Sequence, residues 1–138
     1  MPLTQLVYVS RPFGFDDAML SGILLDARRN NLRDDVTGAL IARGDLYIQL
    51  LEGPKRAVEA CYARIRHDDR HVGPRKLMDR TITTRLFPGW SMKDDPAQSW
   101  VWSREEVRDG ALDCATEQEV LGFFARLASQ DTLPFRPH

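Results

Sequence analysis

Two stretches, Val36-Thr37-Gly38-Ala39-Leu40-Ile41-Ala42 and Leu46-Tyr47-Ile48-Gln49-Leu50-Leu51, decide the fold. Each is a short run rich in β-branched, aromatic and aliphatic side chains. Only Arg43, Gly44 and Asp45 separate them, so the pair reads as a β-hairpin with a tight connection. On the N-terminal side, Leu6-Val7-Tyr8-Val9-Ser10 is a further β-type run, closed by the breaker Arg11-Pro12-Phe13-Gly14. Between that strand and the hairpin, Leu20, Leu24, Ala27 and Asn31 recur at helical spacing with Ile23 beside them, and Asp16 or Asp17 can cap the helix. On the C-terminal side, Glu52-Gly53-Pro54 ends the hairpin. A second helix is expected over 55–67, with Val58, Tyr62 and Ile65 on one face. Residues 68–74 read as a polar loop, and 75–83 and 86–92 as two more strands.

The order β-α-β-β-α-β-β predicts an α+β fold: a ferredoxin-like plait extended by one strand into a five-stranded mixed sheet. Right-handed crossovers place both helices on one face. Val7, Val9, Ile48 and Leu50 leave the other face apolar, so it needs a cover. The tail can supply it. Ser103-Arg104-Glu105-Glu106 looks like a helix start, and Thr116-Glu117-Gln118-Glu119 fits a capping box. Val120, Phe123, Phe124 and Leu127 then form a stripe for the bare sheet face. Residues 1–95 are thus expected to form the main domain and 96–138 a C-terminal helical extension packed on the sheet. Trp100, Trp102 and Phe135 suit either a contact surface or internal packing.

At 138 residues the chain is expected to be one domain with a short appendage, long enough to bury a core without disulfides. A formal net charge of −1 gives no broad basic field, which argues against nucleic acid as a partner. Arg28 and Arg29 read as a solvated helix face. Cys61 and Cys114 lie far apart without metal-ligand spacing, so two partly buried free thiols and no metal are expected. The start Met1-Pro2-Leu3-Thr4-Gln5 lacks the basic and apolar regions of a secretion signal, and no run reaches the length of a membrane span. A cytoplasmic protein without membrane contact is expected.

Several polar residues sit where apolar ones would be simpler. Gln49 is embedded in an apolar strand, a costly position unless its amide is hydrogen-bonded. Tyr8 lies on the strand face opposite Val7 and Val9, Asn31 ends the inward stripe of the first helix, and Trp90 and Met92 share one strand face. If the helices cover the Tyr8 and Gln49 face, these groups converge near one pocket. An amide offers donors and an acceptor, and so suits a heterocycle whose edge presents both. Taken one at a time, each residue also has an ordinary structural role: a bonded core amide, a helix cap, a packed ring.

The combination resembles the BLUF family, sensors of blue light using FAD, from about residue 3 to residue 92. The resemblance rests on six stretches in order: Leu6-Val7-Tyr8-Val9-Ser10, Ala27-Arg28-Arg29-Asn30-Asn31, Val36-Thr37-Gly38-Ala39-Leu40, Gln49-Leu50-Leu51-Glu52-Gly53, Asp69-Arg70-His71 and Arg85-Leu86-Phe87-Pro88-Gly89-Trp90-Ser91-Met92. It implies a non-covalently bound flavin, FAD by the family's habit with FMN or riboflavin as alternatives, and no enzymatic activity. Tyr8 matches the tyrosine that gives an electron and a proton to the excited flavin. Gln49 matches the glutamine between that tyrosine and the flavin N5 and O4. Asn31 matches the asparagine at the flavin's polar edge, and Trp90 and Met92 match residues that move or relay the change. Arg70 and His71 match residues near the ribityl-phosphate chain, while Ile23 and Ile65 are expected on the two ring faces. A rearranged Gln49 amide shifts absorption slightly to the red, and the last strand and tail pass the change to protein contacts. Short stand-alone members imply a homo-oligomer and a downstream protein partner.

Two other readings compete. A non-photoactive interaction module on the same plait would keep the fold without the chemistry. A small plait hydrolase would need an anion cradle or catalytic set, and Arg11-Pro12-Phe13-Gly14 is a poor cradle. A cyclase or phosphodiesterase output would need more chain than follows Met92.

Overall fold

The computed structural model describes residues 2–12, 17–43, 45–68, 70–89, 92–96 and 101–129. Strand β1 (Leu3–Pro12) leads into helix α1 (Asp17–Asp34), then the hairpin β2 (Thr37–Arg43) and β3 (Leu46–Gly53). Helix α2 (Lys55–Arg66) and strand β4 (His71–Ile82) follow, with a short β5 (Lys93–Pro96). The tail forms α3 (Arg104–Arg108), a 3₁₀ turn (Ala111–Cys114) and α4 (Glu117–Ser129).

Four full strands form an antiparallel sheet in the order β4-β1-β3-β2, and β5 adds four residues parallel to the outer edge of β2. The described residues of the expected strand over 86–92 are not in a strand: Leu86 to Gly89 form bends and a turn, and the described pairing with β2 runs from Lys93. Pro88 and Gly89 account for the difference, since the first cannot donate to a ladder and the second favours a turn. The expected loop over 68–74 is also shortened, because β4 begins at His71. Gly73 allows this: its φ is +58°, and β1 and β4 pair through a register shift between Val9 and Arg11. Gly38 is needed for a different reason. A Cβ there would lie 1.9 Å from the Leu50 carbonyl oxygen on β3.

Every residue of β3 is buried, as are the middle seven of β1, which fits two central strands covered on both faces. Alternation along them divides the core. Leu6, Tyr8, Leu40, Tyr47 and Leu51 pack under Ile23 and Leu24 of α1 and Val58 and Cys61 of α2. Val7, Val9, Ile41, Ile48 and Leu50 pack on the other face with Val120, Phe123, Phe124 and Leu127 of α4. The tail stripe therefore covers the sheet. Trp102 belongs to this second core, 4% exposed and edge-on to Phe123 at 4.9 Å, so it is packing and not free contact surface. Trp100 and Phe135 lie outside the described residues. Both tail helices start as the sequence predicts. Ser103 and Glu106 form a capping box on α3, and the Thr116 hydroxyl accepts from the Glu119 N–H at α4. Of the two thiols, Cys61 is buried but Cys114 is exposed. No helix among the described residues is long and apolar enough to cross a membrane.

Phe124 is fully buried, edge-on to Phe87 at 6.3 Å. Phe124→Ala is expected to lower unfolding free energy by about 3–5 kcal/mol in urea titration. A loss below about 1 kcal/mol would mean that α4 does not belong to the core.

Candidate functional site

The β1–β3 register sets Tyr8 directly opposite Gln49, and the β2–β3 register sets Leu40 on the other side of Gln49. The three side chains point toward α1 and α2. The Tyr8 hydroxyl donates to Gln49 Oε1, and Gln49 Nε2 donates to Met92 Sδ at 3.2 Å. Tyr8, Gln49 and Met92 are all buried. Met92 reaches this row because it immediately precedes β5, whose first residue pairs with Ala39 of β2. The Arg28 guanidinium of α1 holds the Met92 carbonyl at 3.1 Å. Arg28 is therefore more than part of a solvated face.

Above this chain a cleft of about 240 Å³ opens between the two helices. Ile23 and Ala27 of α1 and Ile65 of α2 supply apolar walls, with Asn31 and Gln49 among the lining residues. Asn31 Oδ1 accepts from the buried Cys61 thiol at 3.6 Å. Arg64 and Arg70 also line the cleft, and neither is fully buried. Arg70 is pinned by Asp26 at 2.9 Å and Asp68 at 2.6 Å, and Arg64 lies 3.4 Å from Asp34. Apolar walls, buried amides and guanidinium groups fit a flat heteroaromatic ring with a polar edge and an anionic tail. The volume is below the roughly 300–1,000 Å³ of drug-sized ligand pockets, so any ligand larger than a ring system extends beyond the cleft.

Burial holds three groups beside the cleft in their neutral forms. Burial raises the Tyr8 phenol well above its ordinary value, so it stays protonated. Burial likewise pushes the Cys61 thiol up to about 11. His71 is lowered to about 4, mainly by burial with a contribution from Arg70, while Asp68 opposes the shift. Its Nδ1 lies 2.8 Å from the Ser10 hydroxyl, and its ring is 5.9 Å from that of Tyr8.

Of the residues predicted from sequence, Ile23, Asn31, Gln49, Ile65, Arg70 and His71 all line the cleft. Tyr8 and Met92 are joined to it through Gln49. Trp90 lies outside the described residues. Sequence reading missed Cys61 and Arg64, which showed only as ordinary helix residues. It also missed Glu52, assigned to the end of the hairpin. That carboxylate is fully buried and accepts from the Gln5 side chain and from the Leu86 and Phe87 backbone N–H groups at 2.7–2.9 Å. An acid inside the apolar run that also holds Gln49 was the available signal. Among the described residues, no group of three or more His, Cys, Asp or Glu is placed to hold a metal ion.

The lowered His71 value fixes the sign of a pH effect. Folded His71 binds its proton only near pH 4, whereas an unfolded histidine binds near 6.5. The unfolded state then takes up more protons between these values, so stability falls as pH drops through that window. The expected loss is about 2 kcal/mol on going from neutral pH to pH 5, read from urea midpoints. In His71→Gln that acid sensitivity should shrink; an identical slope in both proteins would assign it elsewhere.

The family model "Sensors of blue-light using FAD" (BLUF) matches residues 3–93. The chain is 38% identical over 94 residues to photoactivated adenylate cyclase subunit beta of Euglena gracilis, covering 65% of this chain and 11% of that protein. It is 47% identical over 61 residues to the blue light- and temperature-regulated antirepressor BluF of Escherichia coli, covering 44% and 15% of the two chains. It therefore spans only a small part of these curated relatives. Among solved structures, the dark state of the BLUF protein BlrB superposes with a TM-score of 0.74 at 29% identity, over 93% of this chain and 96% of that one. The matched span contains the four antiparallel strands, both cleft helices and the Tyr8–Gln49–Met92 chain, and the protein belongs to the BLUF family of flavin-binding blue-light sensors.

Proposed function

We propose that this chain senses blue light through the orientation of the Gln49 amide, with Tyr8 as the donor of electron and proton. The observation that carries the reading is the buried row Tyr8–Gln49–Met92 beside the helix cleft. Asn31 and Gln49 hold the flavin's polar edge, Ile23 and Ile65 pack against its ring, and Arg70 and His71 lie toward its phosphate chain, with Arg64 sharing that role. FAD is favoured over FMN by the family's own description.

Bound flavin supplies absorption of blue light and, once excited, a one-electron oxidant. Everything else falls to the chain. The Tyr8 proton lies in the bond to Gln49 Oε1, so removal of an electron from the phenol drives that proton toward the amide. Return of the electron takes the proton back and lets the amide settle in either orientation. The orientations are distinguishable at Met92. A thioether accepts but cannot donate, so it bonds Nε2 and not Oε1. A rotated amide loses that bond and releases Met92 at the start of β5. A typical hydrogen bond contributes only about 0.5–1.5 kcal/mol net, and a sulfur acceptor less, so the two orientations are close enough for one local change to select between them.

Residues 1–95 then act as the sensor and 96–138 as the output, through β5 and the C-terminal helices. The chain is read as non-enzymatic and cytoplasmic, a homo-oligomer signalling through contact with a downstream protein.

The test is absorption of the flavin-loaded protein before and after blue light. A small red shift that reverses in darkness is expected, and it should be absent in Gln49→Leu and Tyr8→Phe with flavin still bound. An unchanged shift in Gln49→Leu would contradict the reading. Mass analysis of the released cofactor separates FAD from FMN.

A further inference from the structure

A second cleft lies away from the helix face of the sheet, where α3 meets the end of β1 and the β2–β3 turn. Its volume is about 490 Å³, and it is lined by Arg11, Asp45, Arg104, Val107, Arg108 and Leu112. Arg104, Val107 and Arg108 lie at i, i+3 and i+4 on one face of α3, and Leu112 comes from the 3₁₀ turn that follows Gly110. The acidic neighbours Glu105, Glu106 and Asp109 are not among the lining residues. Arg11, Arg104 and Arg108 are exposed and make no ion pair among the described residues. Asp45 offsets them only in part: Arg43 holds both of its oxygens, and of the three cleft arginines Arg104 is the one that also attracts its carboxylate. Three exposed guanidinium groups and one carboxylate thus surround two half-buried aliphatic side chains, a local cationic excess in a chain whose net charge is −1.

We propose that this cleft docks an acidic segment of a partner protein, with one apolar side chain seated against Val107 and Leu112 and flanking carboxylates on the three arginines. The charge complementarity favours a peptide over nucleic acid. The basic patch is local and built around an apolar floor, whereas phosphate backbones call for an extended basic track. Guanidinium forks suit carboxylates, which they bind through paired hydrogen bonds. The location suits an output surface: Arg11 is three residues beyond Tyr8 on β1, and Arg43 ties the hairpin end to the Trp102 carbonyl at 2.7 Å, two residues before α3. The inference deepens the sensor reading by naming the site and chemistry of the downstream contact, and it rests on that reading.

The probe is a synthetic seven-residue peptide of glutamates and aspartates around one central leucine, titrated into the full flavin-loaded chain in the dark and under blue light. Methyl resonances of Val107 and Leu112 report binding. Shifts confined to this cleft are expected. Binding should weaken at least tenfold in Arg104→Glu/Arg108→Glu, fall with added salt, and differ between dark and lit protein. The variant's absorption spectrum should match the parent's, which shows that it is folded and loaded. Equal binding of a glutamine-asparagine version of the peptide, preference for a single-stranded oligonucleotide, or peptide-independent self-association through this face would each overturn the proposal. A lost peptide response with an intact red shift removes the docking site alone. Peptide binding without any red shift removes the sensor reading alone.

Discussion

The structure depends on one cross-strand pair. Tyr8 and Gln49 face each other in the two central strands, joined by a buried hydrogen bond. An unsatisfied buried amide would cost about 1–3 kcal/mol, so the row is tolerable only because Tyr8 takes one side of the amide and Met92 the other. This sets the β1–β3 register from within. A slip of one residue would turn every side chain of a strand to the opposite face and leave the amide without its phenol.

Central strands buried on both faces also connect the two halves of the molecule. Gln49 faces the helix cleft, while Glu52 on the same strand grips the Leu86 and Phe87 N–H groups on the side of the tail. Phe87 in turn packs edge-on against Phe124 of α4. The turn that follows β4 is therefore held at one end by β3 and runs on toward Met92, which is bonded to Gln49. On the proposed function, this segment is where a local hydrogen-bond event at the amide would pass toward the C-terminal helices without large motion of the sheet.

Much of this was legible in the sequence, and the failures have identifiable causes. Strand alternation placed Tyr8 and Gln49 on one face and Val7, Val9, Ile48 and Leu50 on the other, because period-two patterning leaves little choice in a fully covered sheet. The tail stripe was equally clear, since Val120, Phe123, Phe124 and Leu127 need an apolar partner and the bare sheet face offers one. The last strand was misplaced because Leu86, Phe87 and Met92 are apolar for tertiary reasons, as core plugs beside a turn. Glu52 and Cys61 were missed because a lone acid at a strand end and a lone thiol in a helix carry no periodic signal. Their meaning comes from contacts with Leu86, Phe87 and Asn31 that are distant in sequence. Pattern reached only a polar cluster suited to a heterocycle; a flavin and its photochemistry required the resemblance.

The central claim is that light changes the Gln49 amide and that Met92 registers it. Its most direct test is the side-chain amide NMR signal of ¹⁵N-labelled glutamine, assigned to Gln49 by its loss in Gln49→Leu, compared in dark and lit protein together with the Met92 methyl signal. Both signals should move on illumination and return together in darkness. A red shift with the Gln49 amide unmoved would contradict the claim.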